Sequence, residues 1–152
     1  MNALSKLVLS IASLSFVVGA NAADLVCKLE TIEIFKDGVL ERTLPAGDYG
    51  KLTIKDYSDA KDKYTVVLEQ PQREPAAGEF NAGQAPAIEA GQTPVKTLLL
   101  HDEGQEGETQ FSIDDQVDVY AGGTRWALKE VAVERTPAKT ETSTVIVKGS
   151  CQ

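Results

Sequence analysis

From residue 23 onward the apolar positions recur at every second residue, interrupted by short polar turns. That period belongs to strands whose alternate side chains enter a core. In residues 25–35 Cys27 and Leu29 hold one phase and Ile32 and Ile34 the other. One extra residue near Glu30-Thr31 therefore predicts a β-bulge that keeps a single face inward. Asp37-Gly38 is a strong hairpin signal, since both residues tolerate positive φ, and residues 39–44 return as the partner strand, ending at Pro45-Ala46-Gly47-Asp48. Residues 51–57 and 64–69 form the next predicted pair, joined by the polar segment 58–63. Residues 95–101, 109–113, 117–121, 125–135 and 142–148 complete the set, with turn signals at Gly122-Gly123 and Thr136-Pro137-Ala138. No window longer than about ten residues carries a helical period. Eight to nine short strands predict an all-β, antiparallel domain over residues 23–152, for which a β-sandwich is the first reading and a small closed β-barrel the alternative.

Residues 70–94 break the pattern. Pro71, Pro75, Pro86 and Pro94, with Gly78, Gly83 and Gly91, leave Phe80 and Ile88 as the only large apolar side chains. The composition predicts a long Pro/Gly/Ala-rich mobile loop in which Phe80 either anchors the segment or faces a partner.

The first 22 residues read differently. Lys6 precedes an apolar and small-residue run, and Ala20-Asn21-Ala22 places small side chains at the −3 and −1 positions of a cleavage site, so residues 1–22 are expected to be a signal peptide. The run is about 14 residues, short of the roughly 20 that span a bilayer. The residues before Cys27 are not the small apolar run that precedes a lipidated cysteine. Aromatics make up 6% of the chain, too few for the girdles of an outer-membrane barrel. The expected location is secreted or periplasmic, and an integral membrane protein is not expected.

An exported chain with two cysteines is expected to oxidise them. Cys27 and Cys151 permit one intramolecular pairing, and closing so long a loop is worth up to about 5 kcal/mol in the chain-entropy account. The bridge requires the strand of Cys27 and the strand of Cys151 to lie side by side.

After residue 22 there are fourteen Lys and Arg against 23 Asp and Glu, a net charge of −9. All of it falls between Glu69 and Asp118, where eleven acids meet only Arg73 and Lys96, and no base occurs from His101 to Asp118. That sign excludes nucleic acid as a partner. It fits either a solvated surface or a docking face for a basic protein or other cationic surface, for which Asp102, Glu103, Glu106, Glu108 and Phe80 are the candidate binding residues.

No catalytic set emerges. His101, the single histidine, is followed by Asp102 on the opposite face of a strand, where it is poorly placed to orient the ring. One histidine and a bridged cysteine pair provide no zinc or copper set. Residues 102–108 depart from the EF-hand spacing, and Asp114-Asp115 lies about 20 Å along the strand from Glu108. Neither a metal nor a cofactor is expected. The leading expectation is an exported, non-catalytic binding or inhibitory module; the alternatives are a structural envelope-surface domain and, third, a carboxylate-based hydrolase.

Overall fold

The computed structural model describes residues 23–44, 50–58, 60–70 and 74–151. The expected signal peptide and the Pro45–Asp48 turn signal lie outside them. Nine strands follow in order: β1 (Ala23–Lys36), β2 (Val39–Leu44), β3 (Lys51–Tyr57), β4 (Lys63–Glu69), β5 (Ala76–Ala82), β6 (Lys96–Glu106), β7 (Thr109–Val119), β8 (Arg125–Arg135) and β9 (Thr140–Cys151), with a 3-10 turn at Ala121–Gly123. All pairings are antiparallel. The sheet runs β1-β3-β4-β5-β6-β7-β8-β9 and returns to β1, an eight-stranded closed barrel, while β2 attaches to the far half of β1. Of the two expected architectures the barrel is therefore the one that forms. Strand spacing alone does not separate them; the β1–β9 ladder decides, because it joins the two ends of one continuous sheet.

β1 serves three partners. Residues 23–28 pair with β3, residues 32–36 pair with β2 on the same edge, and residues 27–36 pair with β9 on the other. Its register slips between Leu29 and Thr31, where the alternation changes phase, so Cys27, Leu29 and Ile32 are all buried. Asp37 and Gly38 both take positive φ, 48° and 81°, and turn β1 into β2. Cys27 lies directly opposite Cys151 and the two form a disulfide, with Cα atoms 3.9 Å apart.

The register stacks the interior into rows, because directly opposed residues share a face. One row reads Leu98, Val117, Leu128, Val147, Ile32, from β6 through β9 to β1. The next row is Leu100, Asp115, Glu130, Val145, Ile34, half-buried throughout, and the row beyond is Asp102, Ile113, Ala132, Ser143, Lys36. Towards one mouth of the barrel the rows thus become acidic on β6, β7 and β8, while β9 and β1 carry Val145, Ile34, Ser143 and Lys36 there. Apolar rows face inward, the reverse of a barrel whose wall meets lipid. Among the described residues no helix is long and apolar enough to cross a membrane.

Two expectations change. Residues 109–113 and 117–121 were expected as separate strands, but β7 runs unbroken through Asp114-Asp115-Gln116. The polar triplet keeps the alternation, since Asp115 continues the inward phase of Val117 and Val119 while Asp114 and Gln116 face out. The segment 70–94, expected as one loop, contains β5, which pairs with β4 from Lys63↔Asn81 to Leu68↔Ala76. Small side chains hid its alternation. Phe80 is 4% exposed and sits in the core opposite Tyr64, so it is not a surface contact.

The remainder, residues 83–95, is strapped over the outside of the barrel. Gly83 N–H donates to Thr97 O, Ile88 N–H to Asp118 Oδ2, Glu89 N–H to the Tyr120 hydroxyl, the Gln116 amide to Pro86 O, and Val95 N–H to Val119 O. Asp118 is fully buried beneath the strap, and its other oxygen accepts from the Thr97 hydroxyl and the Gln116 amide at 2.9 Å. A buried carboxylate with this many donors is a structural anchor, and removing it leaves each donor unsatisfied. Asp118→Ala should therefore cost about 2–4 kcal/mol in denaturant unfolding and let thermolysin cut at Ile88 faster than in the unaltered protein. Unchanged stability and an unchanged digestion pattern would show that the strap does not depend on Asp118.

Candidate functional site

The acidic row opens into a cup at the barrel mouth. The cavity is about 330 Å³ and reaches from β4 to β8. Val66, Leu68, Phe80, Leu100 and Leu128 form its apolar floor and walls; Ala76, Ala77 and Gly78 of β5 line one rim; Asp102, Asp115 and Glu130 converge on it with Ile113, and no Lys or Arg takes part. Strand alternation delivers each carboxylate. Asp102 follows Leu98 and Leu100 on β6, Asp115 precedes Val117 on β7, and Glu130 follows Trp126 and Leu128 on β8. Glycine at 78 matters for the wall: a Cβ there would come 3.0 Å from Leu100 Cδ1.

Asp115 is the most perturbed carboxyl. Its Oδ1 is buried and has no hydrogen-bond partner among the described residues. Burial first, then the charge and contact of Glu130, then the charge of Asp114, push its pKa up to about 7. Two acids side by side in a partly desolvated site do not both ionise easily. A cation entering the cup would relieve that cost.

On the outer face of the same hairpin a shallower groove of about 430 Å³ lies around Leu99, His101, Asp114, Gln116 and Lys129. His101 Nδ1 is 2.6 Å from Asp114 Oδ1 and its Nε2 is 3.5 Å from Glu103 Oε2. The hydrogen bond to Asp114 first, then that to Glu103, raises the His101 pKa. His101 thus faces two carboxylates from mid-strand rather than from a strand end. The distance along β7 does separate Asp114 from Glu108, but hairpin pairing sets Asp114 opposite His101, beside Glu103.

The five residues named from sequence do not share one surface. Asp102 and Phe80 line the cup, Glu103 faces outward with His101, Glu106 closes the β6–β7 ladder opposite Thr109, and Glu108 sits in the turn after Gly107. The acidic middle segment disperses as well. Glu69 pairs with Lys51, Glu89 with Arg125 and Lys148, and Asp118 is buried. Glu130 was missed because it lies outside that segment, although the period Trp126-Leu128-Glu130 points it inward. Asp115 was seen only as half of an acidic pair. Among the described residues no three His, Cys, Asp or Glu side chains are grouped to hold a metal ion. Comparison with protein-family models, curated proteins and solved structures finds no match.

The raised Asp115 pKa fixes the sign of a pH effect. An unfolded aspartate titrates near 3.9, so the folded state holds this proton more tightly. The resulting stabilisation is complete below about pH 4 and is lost as pH rises through about 7. Asp115→Asn removes the penalty at high pH. It should raise unfolding stability at pH 8 by about 1–2 kcal/mol, a figure reduced for the side chain's partial exposure, and leave stability at pH 4 nearly unchanged. Equal effects at both pH values in urea titrations would contradict the assignment.

Proposed function

We propose that the protein is an exported, non-catalytic binding module that takes a cationic group of a protein partner into the acidic cup. The observation that carries this reading is the convergence of Asp102, Asp115 and Glu130 on one cavity with apolar walls and no base. Apolar walls lower the local dielectric and strengthen attraction to a positive charge, and they suit the methylene stem of a Lys or Arg side chain. Charge that served only solubility would gain nothing from facing inward beside Leu100 and Leu128. The disulfide fits work in an oxidising compartment. The fold presents the cup on strands rather than loops, which holds the carboxylates in place before a ligand arrives.

One observation favours a second reading. A carboxyl near pKa 7 beside another carboxylate is also the arrangement of a general acid and its partner, as a carboxylate hydrolase would need. Turnover of a glycan or peptide panel, abolished by Asp115→Asn, would move the assignment there.

Polylysine titration tests the binding reading. Affinity should fall steeply between 0.1 and 1 M salt, as the screening length shrinks from about 10 to about 3 Å. The triple variant Asp102→Asn, Asp115→Asn, Glu130→Gln should bind about tenfold or more weakly, a change of about 1.4 kcal/mol. At pH 8, where Asp115 is mostly ionised, the control Glu30→Gln, Glu33→Gln, Glu41→Gln makes nearly the same charge change elsewhere on the chain and should alter binding by less than about threefold. Equal losses in the two triples, or affinity indifferent to salt, would leave the charge with a solubility role only.

A further inference from the structure

β6 is paired along its whole length on one side and almost nowhere on the other. Its ladder with β7 runs from Lys96↔Val119 to Glu106↔Thr109, whereas its ladder with β5 consists of Asn81↔Leu99 and Ala82↔Leu98. Among the described residues nothing pairs with this edge beyond Leu99. The direction of the free groups follows from the register. Thr97 gives its carbonyl to Gly83 N–H on the β5 side, and the β6–β7 ladder has no slip, so Leu99, His101, Glu103 and Gln105 turn their N–H and C=O groups to that same side. The Glu103 N–H there is met only by Asp102 Oδ1, at 2.9 Å.

We propose that this edge of β6, residues 100–106, accepts an extended segment of a basic polypeptide as an added strand. The inference rests on the cationic-partner reading and specifies its ligand. An open edge offers main-chain hydrogen bonds, and the side chains on either face set which strand can use it. Here the inward face carries Asp102, Asp115 and Glu130, and the outer face carries Glu103 and Asp114 on either side of His101. A strand laid along β6 would send alternate side chains into the cup, over Asp102, Asp115 and Glu130, and the others out towards Glu103 and Asp114. Across this seam the cavity is lined by the small residues Ala76, Ala77 and Gly78 of β5, with Leu100 packed against Gly78. The β6 edge of a second copy is repelled by like charge, so a basic strand is the complementary occupant.

The test uses the full disulfide-bonded protein and a labelled eight-residue peptide of alternating Lys and Val. Two twins carry N-methyl groups on the four lysines or on the four valines; each keeps the charge and blocks one edge. In anisotropy titrations the parent peptide should bind, and at least one twin should bind about tenfold more weakly. Glu103→Pro should lose about tenfold more affinity than Glu103→Gln, since both lose the charge but only proline removes the outward N–H, at an edge position where the β7 ladder does not need it. Equal binding of parent and twins overturns strand addition while leaving cation binding intact. Binding of polylysine without the parent peptide does the same. Failure of both ligands overturns the cationic-partner reading as well. Self-association that Glu103→Pro disperses would give the edge to a second copy instead.

Discussion

The barrel depends on its closure, and closure depends on how Trp126 meets β1 and β9. The indole is fully buried, and its Nε1 donates to Lys28 O at 3.1 Å, reaching from β8 across β9 to β1. It crosses at Gly149. A Cβ there would lie 2.7 Å from Nε1 and 1.7 Å from Lys28 O, so no larger residue fits. Beside this contact Cys27 and Cys151 are joined, and Cys151 N–H turns the other way, to Thr124 O. The largest buried side chain, a close backbone approach and the covalent bridge thus all act on one seam. With that seam closed, the sheet has no choice but to curl, and the apolar rows that follow from its register become an interior.

Curling is what makes the acidic cup. On an open sheet Asp102, Asp115 and Glu130 would lie in water on one face of adjacent strands. The closed wall brings Val66, Leu68 and Phe80 across from them, removes water from Asp115 and raises its pKa. Electrostatics at the mouth are therefore a consequence of topology. The β6 edge is open because β5 stays on β4 back to Ala76 but meets β6 only at Asn81 and Ala82, so the two strands part beside the cup. Site and edge share one cause, the parting of β5 from β6 after Asn81↔Leu99.

Much of the fold was legible in the sequence wherever a rule admits one answer. Two cysteines permit one bridge, and β1 and β9 pair as that bridge requires. A change of phase at Glu30-Thr31 has one structural meaning, and the bulge is there. Asp37-Gly38 turns as its residues demand. What escaped were features without a local signature. Ala76–Ala82 carries too little apolar contrast for its period to show, so the sequence leaves Phe80 open between an anchor of the segment and a partner contact, and burial decides for the anchor. Sandwich and barrel share the same strand pattern, and only the long-range β1–β9 ladder separates them. For the site, Asp102 was found through its charge, but charge density along the chain grouped it with Glu103, Glu106 and Glu108, which strand alternation and the hairpin carry elsewhere. Inward phase, rather than sequence proximity, joins Asp102 to Asp115 and Glu130.

The central claim is that the cup's carboxylates meet a positive charge, and Asp115 reports on it directly. Its carboxyl carbon can be titrated by NMR in the free protein and again with saturating hexalysine. A cation beside the carboxyl favours its ionised form. The account predicts a pKa near 7 in the free protein that falls towards the ordinary aspartate value of about 4 once hexalysine is bound. A pKa that stays near 7 while hexalysine is bound would place the cation elsewhere and contradict the account.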